Sequence, residues 1–569
     1  MDISHIIDET ILDAKNQSSL ILDSQKSTEN FDIHFPPSES IKINPESQVK
    51  LTEDLWKDTG FEEWSKTQTK LFGGNKLLIN KLKNPTSNKK DIIAIQNNIQ
   101  NLPDLNNHLD EIAKLENDVL WLVNLNSLQK SWPLNLLFPL SFPLKYLNNI
   151  PLLVEVFHLY KCFIYPAITI ISPITTVIGP YIYINRTLKM QIKFKDYLGF
   201  LLSAFKSSLQ TSGNMKVDSF KYLSIFMYIF FYIYNIIQTF ESAVMFYKIR
   251  ADLKKKMANI NKFVATFYKI KEIRNEPLSN EETISILPGL SGFYQIAQDQ
   301  LLKNKLKTIL SYLYEIDTLN VAKKLTDEKI CCFATFSKKF TKMTDMSHVQ
   351  FGNNGIKNPM SLAKNLIITG PNAAGKTTYI KSIFTNTILA QSLGIACAKS
   401  ARIKIVHVIG SFMRISDDLG NKSLFEAEIQ RCNELIKYAE EISFCSKNAL
   451  FFFDEPMHST PPIEGTATTI AVSEYLSKLP GIRLLLTTHY FEVTTLEGKY
   501  PKEFKNLSME AIPLSDNKFK FPYLIKENPS YQCIALELLE INDFPETIIS
   551  RAIEIKNKLC KNKLNEFSL

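Results

Sequence analysis

The stretch Leu366-Ile-Ile-Thr-Gly-Pro-Asn-Ala-Ala-Gly-Lys-Thr-Thr378 decides the fold, because an apolar strand runs directly into Gly370-x-x-x-x-Gly375-Lys376-Thr377. This spacing predicts a glycine-rich loop whose backbone N–H groups cradle phosphates at the start of a helix. The Lys376 ammonium would reach the β and γ oxygens, and the Thr377 hydroxyl would ligate Mg²⁺. The chain is therefore expected to bind ATP, or GTP, with Mg²⁺. The predicted nucleotide-binding residues here are Gly370, Pro371, Asn372, Ala373, Ala374, Gly375, Lys376, Thr377 and Thr378.

Two later strands supply the other predicted site residues. The run from Ala449 to Glu455 indicates a buried strand that delivers two carboxylates to its C-terminal end, where a parallel sheet holds its ligands. Asp454 would hold the metal, and Glu455 would polarise the water that attacks the γ-phosphate. A further apolar strand ends at His489, which is predicted to sense that phosphate. The alternatives are a solvated strand end and a loop histidine without a role.

Five segments, in order, resemble the MutS mismatch-repair ATPases, beginning with the Walker A motif at 370–378. The others are similar to the helix and strand that follow, the signature loop, the histidine motif and the C-terminal dimerisation element, and they are 390–403, 413–428, 487–492 and 530–554. The resemblance implies an α/β P-loop ATPase domain of the ABC-like type with a parallel-rich sheet. It also implies a homodimer, or a MutS-like heterodimer, that binds DNA, with Ser423 reaching the nucleotide across the dimer.

The resemblance extends upstream to a mostly α-helical core and lever region. The segment 314–322 looks like the helix that returns from the lever, and 69–78 is similar to a core segment in which a glycine-rich turn precedes a helix. The predicted divisions are an N-terminal arm at 1–50, the outgoing core at 51–130, an apolar lever-like insertion at 131–260, the returning core at 261–340, the ATPase domain at 341–525 and the helical dimerisation element at 526–569.

Two departures from the family pattern concern subunit coupling and mismatch reading. Prolines at 456, 461 and 462 stiffen the loop after Glu455, where the family usually has glycine and arginine. Only about fifty residues precede the core-like segment, and they are rich in Ser, Asn, Asp, Glu and Pro, so they are expected to form a flexible arm rather than a mismatch-reading domain. The triplet Phe61-Glu62-Glu63 matches the family's mismatch wedge, but a chain with 37 phenylalanines contains such triplets by chance. Recognition of DNA by its structure is expected instead.

The middle of the chain departs further, because it contains two uncharged apolar runs. Residues 162–185 and 222–240 are each long enough to cross a hydrocarbon core as a helix, and prolines at 166, 173 and 180 would kink the first. The alternative is a pair of helices buried inside an enlarged lever. The loop between them holds seven basic and two acidic residues, which opposes a simple hairpin with cytosolic ends; a re-entrant segment at 197–205 would remove that conflict.

Composition sets the remaining bounds. A chain of 569 residues with 45% hydrophobic content can bury several cores, and its net charge of +8 suits contact with nucleic acid or anionic lipid. The eight cysteines are scattered without metal-binding spacing, so we expect a reducing compartment. The N-terminus lacks the pattern of a signal peptide, so any membrane insertion would use the internal runs.

Three function classes follow from these features. The first is a MutS-like ATPase of the mismatch-repair or recombination type, which binds DNA and is membrane-anchored through lipid contacts of 162–185 and 222–240. The second is a membrane-tethered dimeric ATP switch or scaffold without DNA binding. The third, half of an ABC transporter, has too few apolar segments here. The expected location is intracellular, at a membrane with the ATPase domain on the cytosolic side, or else soluble in cytoplasm or nucleus.

Overall fold

A computed structural model of the chain describes residues 47–51, 55–56, 59–125, 138, 143–209, 215–412, 424–514, 519–532, 534, 536, 539 and 544–566. The chain divides into two compact units. One, the helical unit, is built from Asp110–Leu310, and the other, the ATPase unit, combines Phe35–Leu109 with Ser311–Leu569. The predicted six-part division stays a prediction. Residues 1–46 of the predicted arm lie outside the described part of the chain, and its last residue, Lys50, belongs to a strand.

The ATPase unit contains a mixed sheet flanked by helices. The described strands of this unit, which belong to the mixed sheet and to three smaller sheets, are β1 (Lys50–Leu51), β2 (Cys332–Phe333), β3 (Thr335–Phe336), β4 (Lys342–Met346), β5 (Asn358–Ser361), β6 (Asn365–Thr369), β7 (Ile395–Ala396), β8 (Ser400–Ile403), β9 (Val408–Phe412), β10 (Ala449–Asp454), β11 (Ile482–Thr487), β12 (Phe504–Met509), β13 (Ile512–Pro513), β14 (Phe519–Lys520) and β15 (Ile525–Glu527). Within the described residues the main sheet has the order β1-β9-β10-β11-β6-β12-β15. All neighbours in it are parallel except β12 and β15. This confirms the predicted mixed α/β class with a parallel-rich sheet.

The helices between these strands explain why the strands are continuously apolar. Helices from both chain segments of this unit are α1 (Phe61–Gln68), α2 (Phe72–Lys83), α3 (Lys89–Gln100), α11 (Lys376–Ser392), α12 (Leu424–Phe444), α13 (Pro462–Lys478), α14 (Thr495–Lys499) and α15 (Glu546–Glu566). Every residue of β6 and β9 is buried, as expected for parallel strands covered on both faces. Leu435 and Ala439 of α12 belong to the same buried cluster as Phe451 and Phe453 of β10.

A buried carboxylate joins the two core segments that resemble MutS. Asp317, fully buried, accepts hydrogen bonds from the backbone N–H groups of Lys70 and Leu71 at 2.9–3.2 Å. The next turn requires glycine, because a Cβ at Gly73 would lie 2.1 Å from the Tyr314 ring and one at Gly74 would lie 2.2 Å from Asp317 Oδ2. The structure thus brings together 69–78 and 314–322. Phe61, the suggested wedge residue, is fully buried and cannot insert into a duplex.

The helical unit is organised around one very long helix. Its helices are α5 (Pro151–Leu159), α6 (Tyr165–Arg186), α7 (Phe194–Leu209), α8 (Met215–Ile273) and α9 (Gly289–Gln298), and the boundaries between the units fall inside two further helices, α4 (Asn106–Val123) and α10 (Gln300–Asp327). A π-helical turn, Tyr160–Ile164, lies directly before Pro166, while α6 stays continuous through Pro173 and Pro180. The π-helical turn before Pro166 accommodates the missing N–H of this proline, and the kinks expected at the three prolines stay a prediction.

Two stretches of this unit are long and apolar enough to cross a membrane, by length and composition. They are Pro151–Ser172 and Tyr222–Ile273, with mean hydropathy of 1.4 and 1.5 in their most apolar windows. Among the described residues, 22% of the first window and none of the second is buried. Within this part of the chain, the lever interior considered above covers little of these two windows.

Candidate nucleotide site

The glycine-rich loop connects β6 to α11 and depends on two glycines. Gly370 has φ 142° and Gly375 has φ 95°, a region that side chains with a Cβ rarely adopt. A Cβ at Gly370 would lie 2.0 Å from the Met509 carbonyl oxygen, so the loop closes against β12 only without a side chain there. The loop ends at the N-terminus of α11, where unpaired N–H groups and the helix dipole favour a phosphate group.

Lys376 is buried beneath this loop. Its Nζ donates to the carbonyl oxygens of Gly370 at 2.9 Å and Pro371 at 3.3 Å, and it lies 3.5 Å from Glu455 Oε1. Burial lowers the pKa of Lys376, while the neighbouring Glu455 carboxylate acts to raise it. The ammonium is therefore held at the position where a phosphate chain on the loop would meet it.

Asp454 and Thr377 form an oxygen pair suited to Mg²⁺. The Thr377 hydroxyl donates to the Asp454 carboxylate at 3.1 Å, and the Thr487 hydroxyl donates to Asp454 Oδ1 at 2.5 Å. Burial raises the pKa of Asp454, an effect that these hydrogen bonds only partly offset. In the described part of the chain, no group of three or more His, Cys, Asp or Glu side chains could hold a metal ion. Two oxygen ligands completed by phosphates and water fit the known preference of Mg²⁺.

Glu455 and His489 contact each other at the edge of the loop. Parallel pairing sets Asp454 opposite Thr487, so the residues that follow the two strands emerge side by side. His489 Nε2 lies 2.6 Å from Glu455 Oε1 and 2.9 Å from Asn372 Oδ1. Burial opposes ionisation of Glu455, but the hydrogen bond and charge of His489, together with Lys376, outweigh it and lower the pKa of Glu455 to about 2. The carboxylate is therefore ionised across the neutral pH range.

A cavity of about 580 Å³ extends from this loop and includes residues that the sequence motifs did not reveal. Beyond the loop it is lined by Met346, His348, Phe351, Ile356 and Tyr523. Burial, with a smaller contribution from Lys381, lowers the pKa of His348 to about 4, so its imidazole is neutral at pH 7. Its Nδ1 accepts from the Gln350 N–H at 3.4 Å. No spacing rule links these residues to the glycine-rich loop. In the sequence, the feature that could have indicated a ligand contact is Phe351, which is followed by the Gly- and Asn-rich residues 352–355.

The unusual loop after Glu455 is tied down by polar contacts. Met457 is buried and has φ 62°, a backbone conformation that glycine favours. Its carbonyl oxygen accepts from the Tyr490 hydroxyl at 2.9 Å. The Ser459 hydroxyl donates to Glu428 of α12 at 2.5 Å. The stiff loop predicted from its prolines is thus also fixed by its neighbours.

Of the described site residues of the sequence prediction, 371–378 and Glu455 line the cavity. Gly370, Asp454 and His489 contact these lining residues, and the chemical roles of all of them stay predictions. Ser423 and residues 413–423 of the signature loop lie outside the described residues.

Comparison with known proteins agrees with this arrangement over the C-terminal part of the chain. Residues 366–560 match the protein family described as MutS domain V. The DNA mismatch repair protein MutS of Clostridium botulinum strain Alaska E43 is 34% identical over 213 residues, covering 36% of this chain and 22% of the relative. The MutS proteins of Aquifex pyrophilus and Bacillus licheniformis are 31% and 28% identical, covering 37% and 45% of this chain.

These matches span at most 30% of the length of the three relatives. Within that span lie the glycine-rich loop, the two carboxylates and the histidine whose geometry is given above. Residues 366–560 of this chain therefore match MutS domain V, and the C-terminal part of the chain is consistent with a member of the MutS family.

Proposed function

We propose that this protein is a MutS-like ATPase that binds DNA and uses ATP binding and hydrolysis to change the state of a dimer. The observation that carries the proposal is the convergence of Lys376, Thr377, Asp454, Glu455 and His489 at the C-terminal ends of three adjacent parallel strands. Positioning and electrostatic stabilisation dominate phosphoryl transfer, and these side chains supply both.

Each side chain has a defined task in this proposal. Lys376 binds the β and γ oxygens, and Thr377 with Asp454 would hold Mg²⁺, which neutralises charge that develops on the phosphates. Glu455 polarises the attacking water, and His489 contacts the γ-phosphate. Phe351 and His348 line the far part of the cavity, where the nucleotide base would lie.

The DNA and dimer components of the proposal draw on the relatives. The three relatives are named DNA mismatch repair proteins, and the net charge of +8 suits a phosphate backbone. A buried Phe61 favours recognition of DNA structure over wedge insertion. Dimerisation would use the C-terminal element that includes α15, and Ser423 would act on the partner's nucleotide.

The test is ATP turnover by the purified protein without DNA and with perfect, mismatched or branched duplex, each with and without anionic liposomes. We expect DNA to stimulate turnover, branched DNA most strongly. Lys376→Ala should abolish turnover in every condition, which shows that the measured activity belongs to this site. Equal rates with all DNA samples and without DNA would refute the DNA-directed function.

A second function, a membrane-tethered dimeric ATP switch without DNA binding, is favoured by the unburied apolar window of Tyr222–Ile273. In the same assay, stimulation by liposomes alone would select it. In either case we propose an intracellular protein that is associated with a membrane, with its ATPase unit in the cytosol. A soluble cytoplasmic or nuclear location would follow if neither liposomes nor native membranes retain it.

A further inference from the structure

Helices α6 and α8 form an apolar hairpin in the helical unit. The two helices are antiparallel: the Phe163 and Tyr247 rings are 6.4 Å apart, and further along, the Tyr232 hydroxyl donates to the Ile170 carbonyl at 3.2 Å. We call the end near Phe163 and Tyr247 the base, and the opposite end, residues 186–209 and 215–221, the tip.

In one section of α8, from Phe226 to Phe231, apolar side chains are exposed on all sides of the helix. Six consecutive residues, Phe226 to Phe231, are each 41–73% exposed. A helix turns once every 3.6 residues, so six consecutive positions cover its entire circumference. A protein partner would cover one face, and a helix lying flat at a lipid–water interface would have a polar face. Lipid chains surrounding the helix fit this distribution.

Charged residues bound the apolar section at both ends. The section of α8 from Tyr222 to Phe240 carries no charge, and at about 1.5 Å per residue its 19 residues span about 28 Å. Lys221 precedes it and Glu241 follows it. On the neighbouring helix, Arg186 ends the uncharged run at the tip. The spacing matches a hydrocarbon core of about 30 Å.

Polar side chains of the hairpin donate hydrogen bonds to the helix backbone. The hydroxyls of Thr169, Ser172, Thr175 and Thr239 donate to carbonyl oxygens three or four residues earlier at 2.7–3.0 Å. Tyr197, at the start of α7, donates to the Val177 carbonyl at 2.9 Å. A lipid environment requires such internal pairing because it offers no water as an alternative partner.

Both ends of the hairpin carry positive charge. The tip contains seven basic and two acidic residues, and the exposed lysines 193, 195 and 206 lie on or beside α7. Next to the base, Glu155 pairs with Arg250 and, at 2.8 Å, with Lys254. Because both ends are basic, the positive-inside tendency does not decide between a crossing and a shallow insertion, whereas the length and the all-round apolar surface favour crossing.

We propose that the α6–α8 hairpin crosses a phospholipid bilayer and that its basic tip binds anionic headgroups of the far leaflet. The inference deepens the membrane association proposed above and specifies the depth of insertion and the class of lipid.

The test uses the full-length protein reconstituted into sealed vesicles of phosphatidylcholine alone or with phosphatidylserine. We expect flotation with both vesicle types, resistance to alkaline extraction, and protection of the Arg186 and Lys189 sites from external trypsin until detergent is added. The double variant Phe226→Asp with Ile229→Asp should lose flotation and keep nucleotide binding. Phe444→Asp, which changes a 93% exposed residue of the ATPase unit, is the matched control and should float like the wild type.

Replacing Lys193, Lys195 and Lys206 with Gln should weaken binding to the anionic vesicles by about 100-fold, at roughly 1 kcal/mol per charge, and leave binding to neutral vesicles unchanged. Tip cleavage without detergent would overturn crossing. Binding of this variant to anionic vesicles as strongly as the wild type would overturn the headgroup role. Failure to bind any vesicle, or a soluble dimer that covers the hairpin, would overturn membrane association itself. Nucleotide binding measured on the same samples keeps these outcomes separate from failure of the proposed ATPase.

Discussion

Replacing Glu455 with Gln removes one negative charge from the centre of the nucleotide site. In the wild type this carboxylate is 2.6 Å from His489 Nε2 and 3.5 Å from Lys376 Nζ. If Glu455 polarises the attacking water, its loss should slow ATP hydrolysis by about 10²–10⁴-fold, the usual contribution of a general base. Nucleotide binding should persist or strengthen, because Lys376 loses a competing carboxylate.

The stability cost of Glu455→Gln follows from the pKa. A fall from 4.5 to about 2 corresponds to about 3 kcal/mol of folding stability as an upper value. A lowered carboxylate pKa stabilises the fold above the unfolded pKa of 4.5, and this contribution is lost as the pH falls towards 2. The difference in unfolding free energy between wild type and variant should therefore shrink as the pH falls below 4.5.

Three measurements test this prediction: phosphate release, the Kd of a fluorescent ATP analogue, and urea unfolding at several pH values. Glu464→Gln is the matched control, because it makes the same chemical change at an exposed residue in the first turn of α13. The control should retain turnover and stability. Turnover of Glu455→Gln within threefold of the wild type, with ATP binding intact, would refute the role assigned to Glu455.

Three further changes test other parts of the site. Lys376→Ala should weaken nucleotide binding by at least about 100-fold, since it removes the buried ammonium that meets the phosphates; a Kd within threefold of the wild type in a titration would contradict this. Met457→Gly relieves a positive φ worth about 1 kcal/mol but deletes a buried side chain worth about 2–5 kcal/mol, so urea unfolding should show a loss of about 2 kcal/mol rather than a gain. The lowered pKa of His348, about 4 against 6.5, gives stability that is complete above pH 6.5 and is lost as the pH falls towards 4, so lowering the pH from 7 to 5 should cost about 2 kcal/mol. His348→Gln should remove that pH dependence, and an unchanged pH profile would show that other groups cause it.

Motifs whose residues are contiguous in the chain could be predicted from the sequence. The phosphate loop could be recognised because Gly370, Gly375 and Lys376 follow one another at a fixed spacing. Both glycines have positive φ values, which residues with a Cβ rarely adopt. Asp454 and Glu455 could be assigned because a buried strand delivers its last residues to one edge of a parallel sheet. In the same way, the length and uncharged composition of 222–240 indicated an apolar helix long enough to cross a membrane.

Contacts between distant segments were not predictable. Nothing in the spacing of Glu455 and His489 indicates that their side chains pair at 2.6 Å, since that distance depends on the register of β10 against β11. Packing likewise places Phe351 and His348 in the lining of the same cavity as the loop. It also sets the hydrogen bonds from the backbone N–H groups of Lys70 and Leu71 to the Asp317 carboxylate.

The α/β class, the predicted nucleotide loop and the family resemblance could be inferred from the amino-acid sequence alone, because each rests on motifs and apolar runs that are continuous in the chain. Only the tertiary structure decided which charges share a site, and hence that Asp454 and Glu455, adjacent in the chain, have pKa values shifted in opposite directions. It also decided that the described residues leave the apolar side chains from Phe226 to Phe231 of α8 exposed, whereas the later part of the same helix has buried apolar side chains. The physical reason is that burial and electrostatic interaction depend on distances in space, which packing sets and which sequence separation does not.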